Sequence, residues 1–237
     1  MATAIPTSHP PHTESAYAII VAGGSGTRMQ SAIPKQFLLL DGKPVLMHTI
    51  DAFYSTAFTP AIILVLPADY HSYWEQLCTT YNFKTPHQLV TGGATRFHSV
   101  KNGLEIIPDN TNTLIAVHDA VRPLISKDII EKSYFHAAEH GNAVTAIKSR
   151  DSVRLHENGI SKSLIRDDVY LVQTPQTFKS EQIKNAYLQS FSTKFTDDAS
   201  VVEETGLKIN LVEGSYQNIK ITFPEDIAIA EMILKSR

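Results

Sequence analysis

Short, nearly continuous apolar runs alternate along this chain with longer segments whose apolar residues recur at helical spacing, and that alternation leaves few folds open. Tyr17–Val21, Ala61–Leu66, His87–Val90, Leu114–Val117 and Ala143–Ile147 read as strands. Between them, Leu46, Ile50, Phe53 and Ala57 follow Pro44, which suits a first helical position. Tyr70–Tyr81 reads as a second helix, the spacing of Phe97, Val100, Leu104 and Ile107 as a third, and Lys127–His140 as a fourth. Further along, Ser180–Phe191, Asp198–Glu204 and Pro224–Lys235 are helical, and Lys208–Val212 is a strand. Strands apolar on both faces belong to a sheet covered on both sides. The expected fold is therefore α/β: a doubly wound, mostly parallel sheet of Rossmann-like type. With 237 residues, 43% of them hydrophobic, the chain can bury a full core without metal or disulfide staples. One domain over residues 17–237 is expected. Residues 1–16, rich in Pro, His, Ser and Thr, read as a flexible tail outside it.

In such a sheet, ligands sit beyond the carboxyl ends of the strands, at the point where strand order reverses. The unusual residues fall at those ends. Ala22-Gly-Gly-Ser-Gly-Thr-Arg28 follows the first strand, Gly92-Gly-Ala-Thr-Arg96 the third and His118-Asp-Ala-Val-Arg-Pro123 the fourth. Residues 149–170 interrupt the alternation. There Asn158-Gly159 signals a type I′ hairpin between Val153–His156 and Ile160–Leu164. A lone two-stranded hairpin is marginal in water, so a second copy of the chain is the expected support, ahead of a solvated loop.

Composition narrows the function classes. The formal charge is −3, from 21 basic and 24 acidic residues, with no basic run that would suit nucleic acid or an anionic membrane. No apolar run approaches a membrane span, and the segment at the start lacks a signal-peptide pattern. The single cysteine, Cys78, excludes an internal disulfide and fits a reducing, cytoplasmic setting; on its helix it reads as a small buried or half-buried residue rather than a nucleophile. The ten histidines form no zinc-ligand pattern, His118 reads as structural and Trp74 as a residue that packs or lies half exposed.

Gly23, Gly24 and Gly26 allow a tight turn whose N–H groups face anionic oxygens, and Arg28 adds a fixed charge. The loop is not Gly-x-x-x-x-Gly-Lys-Ser/Thr, and Met29 replaces the third glycine of a dinucleotide fingerprint. Taken alone it equally suits a plain strand-to-helix connection. Pro34-Lys-Gln-Phe37 shifts the balance: with the preceding loop it resembles the signature of sugar-phosphate and polyol-phosphate nucleotidyltransferases. Arg28 and Lys35 then offer two cations to the charge that develops when a nucleotidyl group is transferred.

Further motifs follow in order: Gly92-Gly93 with Arg96 and Ser99, Asp119-Ala-Val-Arg-Pro123, Arg150-Asp-Ser152, Gln173-Thr-Pro-Gln-Thr-Phe178, Thr196-Asp-Asp-Ala-Ser200, Val212-Glu-Gly-Ser215 and Asn218-Ile-Lys-Ile-Thr222. From Tyr17 to the end the chain resembles the 2-C-methyl-D-erythritol 4-phosphate cytidylyltransferase family. The resemblance implies transfer of cytidylyl from CTP to a polyol phosphate, with release of pyrophosphate. It implies that Ala22, Gly23, Gly24, Ser25, Gly26 and Thr27 line the phosphates, with Arg28 and Lys35 stabilising the transition state. Arg166 and Lys220 would hold the polyol phosphate. Gly93 and Ser99 match the cytosine pocket. Asp119, Ala120 and Arg122 match the loop near the ribose and reacting phosphates, and Ser152 and Thr174 match hydroxyl positions. Ala94 stands where some members carry an acid. The hairpin resembles a dimerisation arm, so each site would borrow Ser152, Arg166 or both from a partner.

A phosphate monoester is mostly a dianion at neutral pH, so the attacking oxygen needs no general base. What remains is positioning and charge neutralisation, the task of Arg28, Lys35, Arg166 and Lys220. Mg²⁺ is expected to bridge the triphosphate oxygens, with Asp119 as the candidate carboxylate; Asp119 would equally serve to anchor its loop through backbone N–H groups. Thr196-Asp197-Asp198 reads as a helix N-cap, and the resemblance implies that it also helps shape the site. Two alternatives share these motifs: a ribitol 5-phosphate cytidylyltransferase and a catalytically silent nucleotide-binding protein. The Thr196–Ser200 stretch and the context of Arg166 weigh against the first and the four cations against the second.

Overall fold

The computed structural model describes residues 15–23, 33–109 and 112–237. Strand β1 (Ser15–Val21) begins two residues before the run expected from Tyr17, because Ser15 donates its N–H to the Asn112 carbonyl and pairs in register with Thr113. A two-residue ribbon, β2 (Leu39–Leu40) with β3 (Lys43–Pro44), leads into α1 (Val45–Tyr54). There follow β4 (Ala61–Leu66), α2 (His71–Thr80), β5 (Gln88–Thr91), α3 (Arg96–Glu105), β6 (Thr113–Asp119), α4 (Lys127–His140) and β7 (Asn142–Lys148). The hairpin is β8 (Arg154–Glu157) with β9 (Ile160–Ser163). The chain closes with β10 (Tyr170–Lys179), α5 (Ser180–Ala186), α6 (Asp198–Glu203), β11 (Leu211–Glu213) and α7 (Glu225–Lys235).

The seven-stranded sheet has the order β11-β7-β10-β6-β1-β4-β5. All neighbours are parallel except β10, which runs antiparallel to both β6 and β7. Strand order runs outward from β1 through β4 to β5, then returns to place β6 on the other side of β1, so the reversal lies between β1 and β6. Alternate residues of β1 serve opposite layers. Ala18 and Ile20 pack with Leu46, Phe53, Trp74 and Tyr134 from α1, α2 and α4. Ile19 and Val21 pack with Phe97, Val100, Ile183 and Val202 from α3, α5 and α6. Full burial of each such aliphatic side chain contributes roughly 1.5–3 kcal/mol, so the sheet is held from both faces.

Helix boundaries follow local chemistry. In α4 the Ser126 side chain accepts the Ile129 N–H at the start, and Gly141, at φ 93°, ends the helix. In α6, Asp197 and Ser200 form a reciprocal capping box, so the N-cap expected at Thr196–Asp198 falls on Asp197. The helix expected to reach Phe191 stops at Ala186. Tyr187 follows it with its hydroxyl on Asp198, and Gln189 closes the turn on the Ala186 carbonyl.

Strand β10 has no counterpart in the sequence reading. Its Pro175 lies where the pairing with β7 shifts register between Val172 and Gln176, so the missing N–H leaves no gap in the ladder. The Pro175 carbonyl is taken up by the Thr145 hydroxyl at 2.7 Å. In the hairpin, Asn158 and Gly159 have φ of 49° and 77°, the pair of positive values a type I′ turn requires. Every residue of β8 and β9 is exposed. Among the described residues no helix is long and apolar enough to cross a membrane.

Candidate active site

The carboxyl ends of β1, β5 and β6 open into a cleft of about 390 Å³ lined by Ala22, Gly23, Lys35, Gln36, Gly93, Arg96, Ser99, Asp119 and Lys220, among others. A second cleft of about 310 Å³ adjoins it and shares Arg96, Asp119 and Lys220, adding Arg122, Gln173, Thr174, Gln176, Thr196 and Asp197. The described parts of the three loops singled out in the sequence, Ala22-Gly23 from the first among them, thus meet at one edge of the sheet. Gly24, Ser25, Gly26, Thr27 and Arg28 lie outside the described residues. Across the two clefts four cations (Lys35, Arg96, Arg122 and Lys220) face two carboxylates, Asp119 and Asp197. The excess suits a polyanionic ligand.

Each wall is built locally. Lys35 and Gln36 begin a short 3-10 turn after Pro34, and Gln36 ties that turn to β1 through the Ala22 carbonyl at 3.1 Å. Ser99, in the first turn of α3, accepts the Gly93 N–H at 3.1 Å and donates to the Thr95 carbonyl at 2.9 Å. A Cβ at residue 93 would stand 2.4 Å from His98 Cβ and 2.9 Å from its carbonyl carbon, so only glycine allows the loop to lie this close to α3. The loop after β6 is stapled to the segment before α7. Arg122 donates to the Asn218 carbonyl at 2.7 Å, and the Ile221 N–H bonds the Val121 carbonyl. Asn218, fully buried, donates to the Thr174 carbonyl and to Gln173. This staple brings Lys220 to the cleft.

Asp119 is the electrostatic centre. Its carboxylate lies 2.8 Å from Lys220 Nζ, 3.6 Å from Arg122 Nε and 3.7 Å from Arg96 Nε. Burial opposes its charge, but these three cations prevail and hold its carboxyl well below the usual range. The carboxylate therefore faces side-chain cations, while its backbone N–H is fixed by the Thr174 hydroxyl at 3.1 Å. Oδ2 faces Lys220 and Arg122 and Oδ1 faces Arg96, and both are hard oxygen donors of the kind Mg²⁺ takes beside substrate phosphates.

The remaining expected residues sit elsewhere. Ala120 is buried beneath the cleft, with its carbonyl accepting the Thr49 hydroxyl at 2.8 Å. Ser152 and Arg166 lie on the arm, lining neither cleft, and Arg166 is exposed beside Asp167. Arg96, quoted in a motif but given no role from sequence, lines both clefts. Its partner Asp198 lies 102 residues away, so only the fold brings the pair together.

His118 is fully buried and packs on Phe53. Its Nε2 carries the proton, donated to the Arg122 carbonyl at 3.2 Å, and Nδ1 has no partner among the described residues. Burial lowers its pKa to about 3. The unfolded chain then binds a proton below pH ~6.5 that the folded chain excludes, so stability is complete above that pH and falls as pH drops toward 3. At pH 5 this one group costs about 2 kcal/mol. His118→Gln keeps an N–H donor without titrating and should narrow the gap between urea midpoints at pH 5 and 7.5; an unchanged gap would refute the assignment.

A doubly wound sheet carrying glycine loops, a cationic double cleft and a Lys-bearing turn after its first strand defines an α/β nucleotidyltransferase. The sequence pattern of the 2-C-methyl-D-erythritol 4-phosphate cytidylyltransferase family matches residues 16–236. A Phocaeicola vulgatus protein of that name is 47% identical over 218 residues, which span 92% of this chain and 99% of that protein. A Porphyromonas gingivalis protein of the same name is 45% identical over 221 residues, 93% and 98% of the two chains. The crystal structure of the Francisella tularensis enzyme of this name superimposes with a TM-score of 0.78 at 32% identity, covering 92% of this chain and 99% of that one. The chain belongs to the 2-C-methyl-D-erythritol 4-phosphate cytidylyltransferase family.

Proposed function

We propose that this protein transfers the cytidylyl group of CTP to 2-C-methyl-D-erythritol 4-phosphate in isoprenoid biosynthesis, releasing pyrophosphate. The observation that carries the reading is the double cleft at the carboxyl ends of β1, β5 and β6, lined by four cations, three of which surround the ionised Asp119. The first cleft takes the nucleotide, with the base beside Gly93 and Ser99 and the triphosphate toward Lys35 and the Ala22–Arg28 loop. The second takes the polyol phosphate, with Thr174 and Lys220 against it. A phosphate oxygen of the acceptor bonds to the α-phosphorus of CTP as the bond from that phosphorus to the bridging oxygen of pyrophosphate breaks. The acceptor arrives as a dianion, so no proton need be removed, and the protein's work is alignment and charge neutralisation. Mg²⁺, held by Asp119 together with the triphosphate, would withdraw charge from the phosphate oxygens.

We further infer that the enzyme is a cytoplasmic homodimer formed through the arm of residues 149–170 on a single catalytic domain. The arm and the start of β10 expose Leu155, Ile160, Leu164, Ile165 and Leu171, with Ile160 and Ile165 each 72% exposed. An apolar surface of this kind suits a second copy, which would bring Ser152 and Arg166 to the neighbouring cleft. Pyrophosphate release from CTP and Mg²⁺ with each candidate polyol phosphate tests the reading. Release with methylerythritol phosphate is expected. Release with ribitol 5-phosphate alone, or with neither, would overturn it.

A further inference from the structure

Arg96 holds together three segments that have no backbone hydrogen bonds to one another at this point. It opens α3 directly after the Gly92-Gly93 loop. It grips Asp198 in a two-bond fork, Nη1 to Oδ1 at 2.9 Å and Nη2 to Oδ2 at 2.6 Å. Its Nε faces Asp119 Oδ1 at 3.7 Å. Asp198 is completely buried, and the Tyr187 hydroxyl donates to its Oδ1 at 2.6 Å, so the acceptor end of the fork is itself fixed. One residue earlier, Asp197 is bonded to Gln176 of β10. The guanidinium therefore sits where the two clefts meet and lines both.

Buried ion pairs of this kind add little net stability over an apolar replacement. What the fork does supply is direction. A planar guanidinium with two parallel bonds fixes the angle between α3 and the start of α6, which a lysine's single ammonium cannot do. That angle is also the angle between the wall of the first cleft, carried by the loop after β5, and the wall of the second, carried by Thr196 and Asp197.

We propose that Arg96 is a positioning residue for the transfer reaction: clamped on Asp198, it sets the separation of the nucleotide cleft from the acceptor cleft and so aligns the attacking oxygen with the α-phosphorus. The proposal rests on the function given above. In-line transfer is sensitive to misplacement of about 1 Å, which can lower turnover on the order of 100-fold, whereas binding of CTP needs only its own cleft. Loss of the fork should thus appear in kcat and spare nucleotide affinity. Tyr187 acts on the reaction only through Asp198 and Arg96.

The test uses the full chain, with wild-type kinetics measured first. Arg96→Lys should lower kcat by at least about 30-fold, while the Kd for CTP, read by calorimetry, stays within about 3-fold of wild type. Tyr187→Phe should lower kcat about 3–10-fold, and adding it to Arg96→Lys should cost nothing further. A folded Arg96→Lys protein with wild-type kcat, or one whose only defect is a lower Tm, would overturn the proposal. Should Arg96→Lys fail to fold, Tyr187→Phe decides: an unchanged kcat overturns the proposal and a reduced kcat with unchanged CTP affinity supports it. Wild-type protein that releases no pyrophosphate would instead overturn the function itself, and this role with it.

Discussion

Lys220→Ala should reduce kcat by at least about 100-fold while leaving the melting temperature nearly where it was. The two halves of that expectation have separate causes. Lys220 reaches both clefts and lies 2.8 Å from Asp119, so it is placed to follow charge as the acceptor phosphate approaches the triphosphate. Removing a preorganised cation from a phosphoryl-type transition state is costly because nothing else moves in to replace it. Stability is spared because Lys220 is 42% exposed and its ion pair is screened. Asp119 is also not left uncompensated, since Arg96 and Arg122 remain at 3.7 and 3.6 Å. Initial rates of pyrophosphate release, with a thermal melt on the same sample, check both halves. Turnover near wild type would remove Lys220 from the machinery. A collapse in melting temperature would make it a structural residue.

Mixing two inactive variants should restore activity. Arg166→Ala and Lys35→Ala are each expected to be nearly silent, the first lacking the arm's cation and the second a cation of the first cleft. Arg166 stands exposed on the arm and lines neither cleft of its own chain, whereas Lys35 is buried in the first cleft. If each site takes Lys35 from one subunit and Arg166 from the other, a mixed dimer contains one intact site and one doubly damaged site. With equal amounts and free exchange, half the dimers are mixed, and activity returns to about a quarter of wild type. Sites completed within a single chain would give no recovery at any mixing ratio or incubation time.

The parts of this molecule that could be read from sequence are those encoded by neighbours along the chain. Lys127–His140 was bounded correctly because a serine cap and a glycine stop flank an amphipathic run. The Asn158-Gly159 turn was readable because only such a pair accepts two positive φ values in succession. Strand β10 escaped because its ladder contacts are distant, its interior is polar and Pro175 argues against a strand unless a shift in register is known. The three glycine- and aspartate-bearing loops could be assigned to one edge because strand direction follows from the alternation of elements. Arg96 could not be given a role, since its fork to Asp198 and the Tyr187 hydroxyl behind it exist only after α3, α5 and α6 have packed on one face of the sheet. Nor could the convergence of Lys220, Arg122 and Arg96 on Asp119 be read along the chain, because the Asn218 staple that delivers Lys220 joins segments about a hundred residues apart.

A crystal structure of the full chain with CTP and Mg²⁺ bears most directly on the claim that this cationic double cleft is where cytidylyl transfer occurs. The triphosphate should lie against Lys35 and the loop that follows β1, with the cytosine beside Gly93 and the α-phosphorus turned toward Lys220. Nucleotide bound at any other face, with the cleft between β1, β5 and β6 left open, would contradict it.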